Sequence, residues 1–297
     1  MKKLIQIIKY LNNHPLSGRH KLKAYCRFLF WQISQLLFPH EAVVTFAGNT
    51  KLVAKKGMTG ATGNIYTGLH EFEEMAFLLH FLREADLFAD IGANIGSYSI
   101  LASGYVHATT LAFEPIPTTY EILKKNIAIN HLNKKVTAFN IALGGKEAIQ
   151  KFTSSLDTVN HALASEEENG LPNIAVKVTT FDSFVAEYGY PSLIKIDVEG
   201  YETEVLKGMS QTLRNNDLKS IIIELNGSGE RYGFDENLIH EKLLSNNFLL
   251  YQYNPYKREL INSNNFGSFN SIYIRDLNFV QERINAANKI NVFSESF

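Results

Sequence analysis

Hydrophobic and polar positions alternate along this chain with two different periods. In LIQIIKYL and around AYCRFLFWQISQLLF the spacing is that of amphipathic helices. The second of these is expected to gather Leu22, Tyr25, Cys26, Leu29, Ile33 and Leu36 on one apolar face. Pro39 ends it, because proline cannot continue the hydrogen-bond ladder. VVTFAG and KLVAKKG then read as a small β-hairpin, and MTGATGNIYTG as a Gly- and Thr-rich loop. HEFEEMAFLLHFLRE predicts a helix that buries Phe72, Met75, Ala76, Leu79 and Leu82.

After Arg83 short apolar runs alternate with helical stretches. FADIGA, TTLAFEP, KVTAFNIAL, SLIKIDVEG, SIIIELN, FLLYQYNP and SFNSIYIRD read as strands, with helices between most of them. Gly144 and Gly145 predict a tight turn into EAIQKFTSS, and VKVTTFDSF adds a further strand and a helix start. Strands alternating with helices imply a doubly wound, mostly parallel α/β sheet covered on both faces. The last two strands follow one another without a helix, so an antiparallel edge is expected. Residues 277–297 read as a helix and then a frayed tail. The expected division is a basic helical arm over 1–40 and one domain over 41–297, with its core at about 84–276.

Composition narrows the classes. The 297 residues are 45% hydrophobic and 20% charged, as in a globular domain, and the net charge of -1 offers nucleic acid no general attraction. No nucleic-acid partner is expected. A single cysteine, Cys26, excludes an internal disulfide and fits a cytoplasmic protein, with Cys26 read as a small core or interface hydrophobe. Residues 1–40 hold seven of the 29 Lys and Arg and none of the 30 Asp and Glu. Polar residues interrupt both apolar stretches of this arm, so neither a signal peptide nor a membrane span is expected. Packing on the domain is the main expectation, and peripheral contact with an anionic membrane the alternative.

In such sheets ligands sit beyond the carboxyl ends of the strands. The first parallel strand ends in DIGANIGS, which brings Asp90, Gly92, Asn94, Gly96 and Ser97 to that edge. The glycines allow a sharp turn and close approach to a ligand. The G-x-x-x-G spacing differs from the G-x-G-x-x-G of dinucleotide folds. Asp90 is badly placed for a pyrophosphate and well placed for a cationic amino acid. Glu114, followed by Pro115, closes the second strand about 20 residues after the glycine loop, where a carboxylate grips ribose hydroxyls. An adenosyl ligand carrying an amino acid, S-adenosylmethionine, answers both features.

FADIGANIGSYS, AFEPIPTTYEILKKNIAIN and LIKIDVEGYETEVLKG together resemble the FkbM family of class I S-adenosylmethionine-dependent methyltransferases, over about residues 58 to 276. KIDVEGYE followed by VLKG is the most specific of these motifs. The resemblance implies a seven-stranded Rossmann-like methyltransferase sheet and O-methylation of a small molecule, often a sugar. It implies that Asp90, Gly92, Asn94 and Gly96 shape the methionine side of the pocket. It further implies that Glu114 binds the ribose, and that the third strand's end at Asn140, Ile141 and Ala142 encloses the adenine.

Methyl transfer to a hydroxyl needs alignment of the reacting atoms and a group to take the proton. In LIKIDVEG, strand alternation puts Lys195, Asp197 and Glu199 on one face. They form either a structural Lys195–Asp197 ion pair or a catalytic cluster. Glu224, ending the next strand, would join them, with Asn226 just beyond. Three carboxylates at one mouth repel unless a proton or cation intervenes, which makes Asp197, Glu199 and Glu224 candidate Mg²⁺ ligands. Upstream, Tyr66, His70 and Glu71 are candidates to fold over the cofactor, His70 as general base. In the polar loop Asp157, Asn160 and His161 are candidate substrate contacts. Asp182 reads as a helix N-cap. Two other functions remain open at this stage: an NAD-dependent oxidoreductase, which shares the fold, and a non-enzymatic S-adenosylmethionine-binding scaffold, which would work through its basic arm.

Overall fold

The computed structural model describes residues 2–153, 160–163, 172–266 and 270–297. Two helices, α1 (Lys2–Asn13) and α2 (Lys21–Leu37), precede a hairpin of β1 (Ala42–Thr45) and β2 (Lys51–Ala54). Helices α3 (Thr59–Thr67) and α4 (Phe72–Phe81) lead into the alternating region of β3 (Leu87–Ile91), α5 (Ser97–Ile100), β4 (Thr109–Phe113), α6 (Pro117–Ile129) and β5 (Val136–Phe139). Three strands follow, β6 (Ala142–Leu143), β7 (Ala148–Thr153) and β8 (Asn173–Thr179). The chain continues through α7 (Val185–Tyr188), β9 (Leu193–Ile196), α8 (Glu202–Lys207), α9 (Ser210–Arg214) and β10 (Ser220–Glu224). It closes with α10 (Glu236–Ser245), β11 (Leu249–Asn254), β12 (Glu259–Asn262), β13 (Asn270–Ile274), α11 (Leu277–Ala286), β14 (Asn291–Val292) and β15 (Glu295–Ser296).

The central sheet runs β12-β11-β13-β10-β9-β3-β4-β5. Strands β5, β4, β3, β9 and β10 are mutually parallel, and β13 is antiparallel to both β10 and β11. Alternate side chains feed two cores. Phe88, Leu193 and Ile222 enter one with α4, and Ala89, Ile194 and Ile223 enter the other with α8 and α10. This is the expected doubly wound fold with an antiparallel edge, but the sheet has eight strands rather than seven. The addition, β12, is a short edge strand paired with β11 and mostly exposed, too polar to show an apolar period.

Other expectations are corrected. KVTAFNIAL splits after Phe139, because Asn140 anchors the chain by donating to the carbonyls of Glu114 (2.9 Å) and Pro115 (3.0 Å). Its second half, β6, joins a separate sheet of order β6-β8-β7. The Gly- and Thr-rich loop is helix α3, where packing overrides propensity. A Cβ at Gly63 would lie 2.4 Å from His70 Nδ1, so glycine is what lets this helix approach. Helix α2 buries Ala24, Phe28, Trp31 and Gln35, so the face expected to pack, with Leu22, Leu29, Ile33 and Leu36, points outward. Cys26 is exposed with it. The tail is not frayed: β14 and β15 pair, and Phe297 packs on Phe72 at 5.0 Å. Asp182 does cap a helix, but α9 rather than its own, accepting from the N–H groups of Gln211 and Thr212.

Candidate functional site

The site begins where β3 stops. The chain turns through Gly92, Asn94 and Gly96, with φ of 77°, 53° and 91°. Gly92 crosses the backbone beyond β9 so closely that a Cβ would lie 1.8 Å from the Asp197 carbonyl oxygen. Asp90 is buried below this turn. Its carboxylate accepts from Ser99 N (3.0 Å) and Ser99 Oγ (2.6 Å), which fixes α5 against the strand. Burial raises its pKa, against the opposing pull of Lys195. Glu114 joins two loops, accepting from Asn94 N at Oε2 and from Ile116 N at Oε1, both 2.9 Å. Burial pushes its pKa up to about 7 despite these two donors.

A cleft with about 660 Å³ of empty space, part of it open to solvent, lies beside this turn. Glu114, Pro115, Ile116, Ala142 and Leu143 line it, with Asn160 from the polar loop. Asn140, a predicted pocket residue, supports its rim instead. A second cleft, with about 780 Å³ of empty space that is also partly open to solvent, lies across the turn, lined by Asn64, His70, Glu71, Asp90, Ser97, Tyr98, Lys195 and Glu224. Gly92, Asn94, Asp197 and Glu199 belong to both.

Strand β9 ends at Ile196, so a turn, not strand alternation, brings Glu199 to this junction. Glu199 has φ 55° and Gly200 φ 100°. Glu202 holds the turn by accepting from Val198 N (3.1 Å) and Gly200 N (3.2 Å). The glycine of VLKG serves the same compactness, since a Cβ at Gly208 would meet the Gly144 carbonyl at 2.0 Å. Lys195 is 3% exposed, 2.6 Å from Asp197 and 4.7 Å above the Tyr98 ring. Burial works against its charge, but Asp197, Glu71 and Asp90 outweigh that and raise its pKa. Lys195 and Asp197 thus form an ion pair inside the carboxylate-lined cleft.

Negative charge exceeds what Lys195 neutralises. Burial, then Asp197, pushes Glu199 up to about 7. Burial, then Asp197 and Glu199, pushes Glu224 up to about 9, and its Oε2 is buried without a hydrogen-bond partner. Among the described residues no three His, Cys, Asp or Glu side chains are placed to hold a metal ion. Asp197, Glu199 and Glu224, the expected Mg²⁺ ligands, are thus not grouped as a metal cage among the described residues, and the Lys195 ammonium pairs with Asp197.

His70 lines the second cleft, with Nδ1 2.6 Å from Tyr10 Oη and its backbone N–H donating to Asn64 Oδ1 at 2.7 Å. Burial lowers its pKa, so the ring is neutral near pH 7. Tyr66 is not at the cleft: it packs edge-on against Phe28 at 5.3 Å and takes a hydrogen bond from Gln32. His161 is buried against Thr153 rather than exposed to a ligand, and Asp157 lies outside the described residues. Asn226 accepts from Ser228 N and shapes the loop after β10. Sequence reasoning missed Asn64, Tyr98 and Glu202. Asn64 was hidden by reading α3 as a loop. Tyr98 stands inside the SYS motif, where only its hydrogen bond to Glu71 (2.7 Å) reveals a role.

The family model described as the methyltransferase FkbM domain matches residues 90–250. The chain is 30% identical over 159 residues to hexuronic acid methyltransferase AglP of Haloferax volcanii, covering 52% of this chain and 62% of that protein. It is 30% identical over 155 residues to methyltransferase sdnD of Sordaria araneosa, covering 41% and 60%. The chain thus spans about three fifths of the length of these relatives. A SAM-dependent methyltransferase from Agrobacterium tumefaciens superposes with a TM-score of 0.42 at 8% identity, over 80% of this chain and 71% of that one.

Proposed function

This chain belongs to the FkbM methyltransferase family, and on that premise we propose that it is an S-adenosylmethionine-dependent O-methyltransferase acting on a sugar hydroxyl. The observation that carries the reading is the meeting of two clefts at Gly92, Asn94, Asp197 and Glu199. A cofactor in one and an acceptor in the other would share a single junction. The name of the Haloferax volcanii relative favours a sugar, and the polar lining of the second cleft suits one. A reducing, cytoplasmic setting belongs to the same proposal, since the one cysteine makes no disulfide within the chain.

The residues of the first cleft fit the cofactor. Each Glu114 oxygen accepts one backbone N–H and keeps lone-pair capacity for a ribose hydroxyl. Ala142 and Leu143 offer an apolar wall for adenine. Gly92 leaves the turn free of a side chain, and the excess of carboxylates around Asp197 suits a cationic ligand. When bound, S-adenosylmethionine supplies a methyl group activated by a sulfonium charge.

This chain's own residues would orient the acceptor and take its proton. Glu199, with its pKa near 7, is available as a base at neutral pH and stands at the junction. His70, neutral and lining the second cleft, is the other candidate base. Glu224 keeps its proton at pH 7 and can donate a hydrogen bond to the acceptor. Lys195 holds Asp197 in place.

The test is calorimetric titration of wild type and Glu114→Ala with S-adenosylmethionine and with NADH, followed by an acceptor screen over hexuronic acids and other sugars. Binding of S-adenosylmethionine alone, weakened in the variant, and methyl gain on a sugar oxygen support the proposal. A folded wild type that binds NADH instead, or that methylates only a carbon or nitrogen, overturns it.

A further inference from the structure

Helix α2 has two apolar faces, and only one is covered. Phe28 and Trp31 are buried against the domain. On the opposite side Leu22, Leu29, Phe30, Ile33, Leu36 and Leu37 stand in solvent, and Leu22 is 81% and Leu36 78% exposed. At about 100° per residue these six fall within roughly 120° of the helix circumference. They form a continuous stripe rather than scattered surface residues. Tyr25 ties α2 to α1 through Asn12 at 2.7 Å, and α1 likewise exposes Leu4 and Ile5.

The charge around the stripe selects its occupant. Residues 1–40 carry seven Lys and Arg and no acidic residue. Arg19 is paired with Glu295 and Arg27 donates to the Tyr66 carbonyl, but Lys9, Lys21 and Lys23 have no acidic partner among the described residues. A second copy of this chain would bring like charges together. An anionic lipid surface would meet the lysines with phosphates while the stripe enters the headgroup boundary. No described helix is long and apolar enough to cross a membrane, so the geometry is that of a helix lying on one.

We propose that the outward face of α2, flanked by its lysines, docks this protein on an anionic lipid bilayer. The experiment is co-sedimentation of the full chain with phosphatidylcholine vesicles, with and without phosphatidylglycerol, at low and high salt. Two variants accompany it, Leu29→Glu/Ile33→Glu and Lys21→Gln/Lys23→Gln. S-adenosylmethionine titration and gel filtration are run on every preparation. At least tenfold stronger partition onto phosphatidylglycerol vesicles is expected, weakened by salt, lost in the glutamate variant and reduced in the glutamine variant. Cofactor titration should be unchanged throughout, so failure here is separable from failure of the methyltransferase reading. Absence of binding by the folded chain overturns the proposal, as does equal binding to neutral vesicles or full binding by the glutamate variant. A dimer that the glutamate variant dissociates, without vesicle binding, assigns the stripe to self-association and also overturns it.

Discussion

Tyr10 Oη lies 2.6 Å from His70 Nδ1, so helix α1 reaches a side chain of the second cleft. Burial pushes the Tyr10 pKa up to about 12, and the phenol keeps its proton across the working range. The basic arm therefore touches a residue that lines the second cleft.

Tyr10→Phe removes this hydrogen bond and keeps the ring. A hydrogen bond of this kind contributes about 0.5–1.5 kcal/mol. A fall in kcat of up to about tenfold is expected, with S-adenosylmethionine affinity unchanged and a melting temperature lowered by no more than about 4 °C. Steady-state kinetics with a calorimetric titration check it. An unchanged kcat would remove His70 from the list of bases.

Gly92→Ala tests the glycine turn. The added methyl would collide with the Asp197 carbonyl, and φ of 77° is itself strained for alanine. The turn must move away from Asp197 and open the junction of the two clefts. Loss of S-adenosylmethionine binding by at least a hundredfold is expected, read by titration, with far-ultraviolet circular dichroism reporting a folded chain. Retention of full affinity would place the cofactor elsewhere.

These residues show what the sequence could and could not reveal. The DIGANIGS turn and Glu114 were legible because strand ends and glycine spacing are local features. KIDVEGYE was legible as a motif, yet its geometry was not: strand alternation suggested a shared face for Glu199, while Glu202 and Gly200 fold it round in a turn. Helix α2 carries apolar residues on two sides, and periodicity alone chose the wrong one. Only contact with Tyr66 and its neighbours selects the stripe of Phe28 and Trp31. Asn64 and Tyr10 reach the site through packing between distant segments, which no local pattern encodes.

Glu114→Gln tests the bridge between the glycine turn and the loop after β4. Its amide replaces one acceptor oxygen by a donor, which then faces a backbone N–H from Asn94 or Ile116. Losing the hydrogen bond from a ribose hydroxyl to this charged group would cost about 1.5–3 kcal/mol. A loss of S-adenosylmethionine affinity of roughly ten- to a hundredfold follows. Titration measures it, and unaltered affinity would leave ribose binding to another group.

The crowded carboxylates also predict how stability responds to pH. From pH 7 to 9 the unfolded chain holds Glu74 and Glu224 ionised. The folded chain keeps protons on Glu74 up to about 8 and on Glu224 up to about 9, chiefly through burial. The folded state thus binds more protons across this window, so its stability falls as pH rises. Glu224→Gln stays neutral and removes that residue's share of the loss. The drop in Tm between pH 7 and 9 should be smaller in the variant than in wild type, in the absence of cofactor. A bound cation at the junction favours the ionised carboxylates, so saturating S-adenosylmethionine should shrink the wild-type drop as well. Thermal melts of both proteins, with and without cofactor, check this, and an identical drop in all four would mean that Glu224 ionises normally.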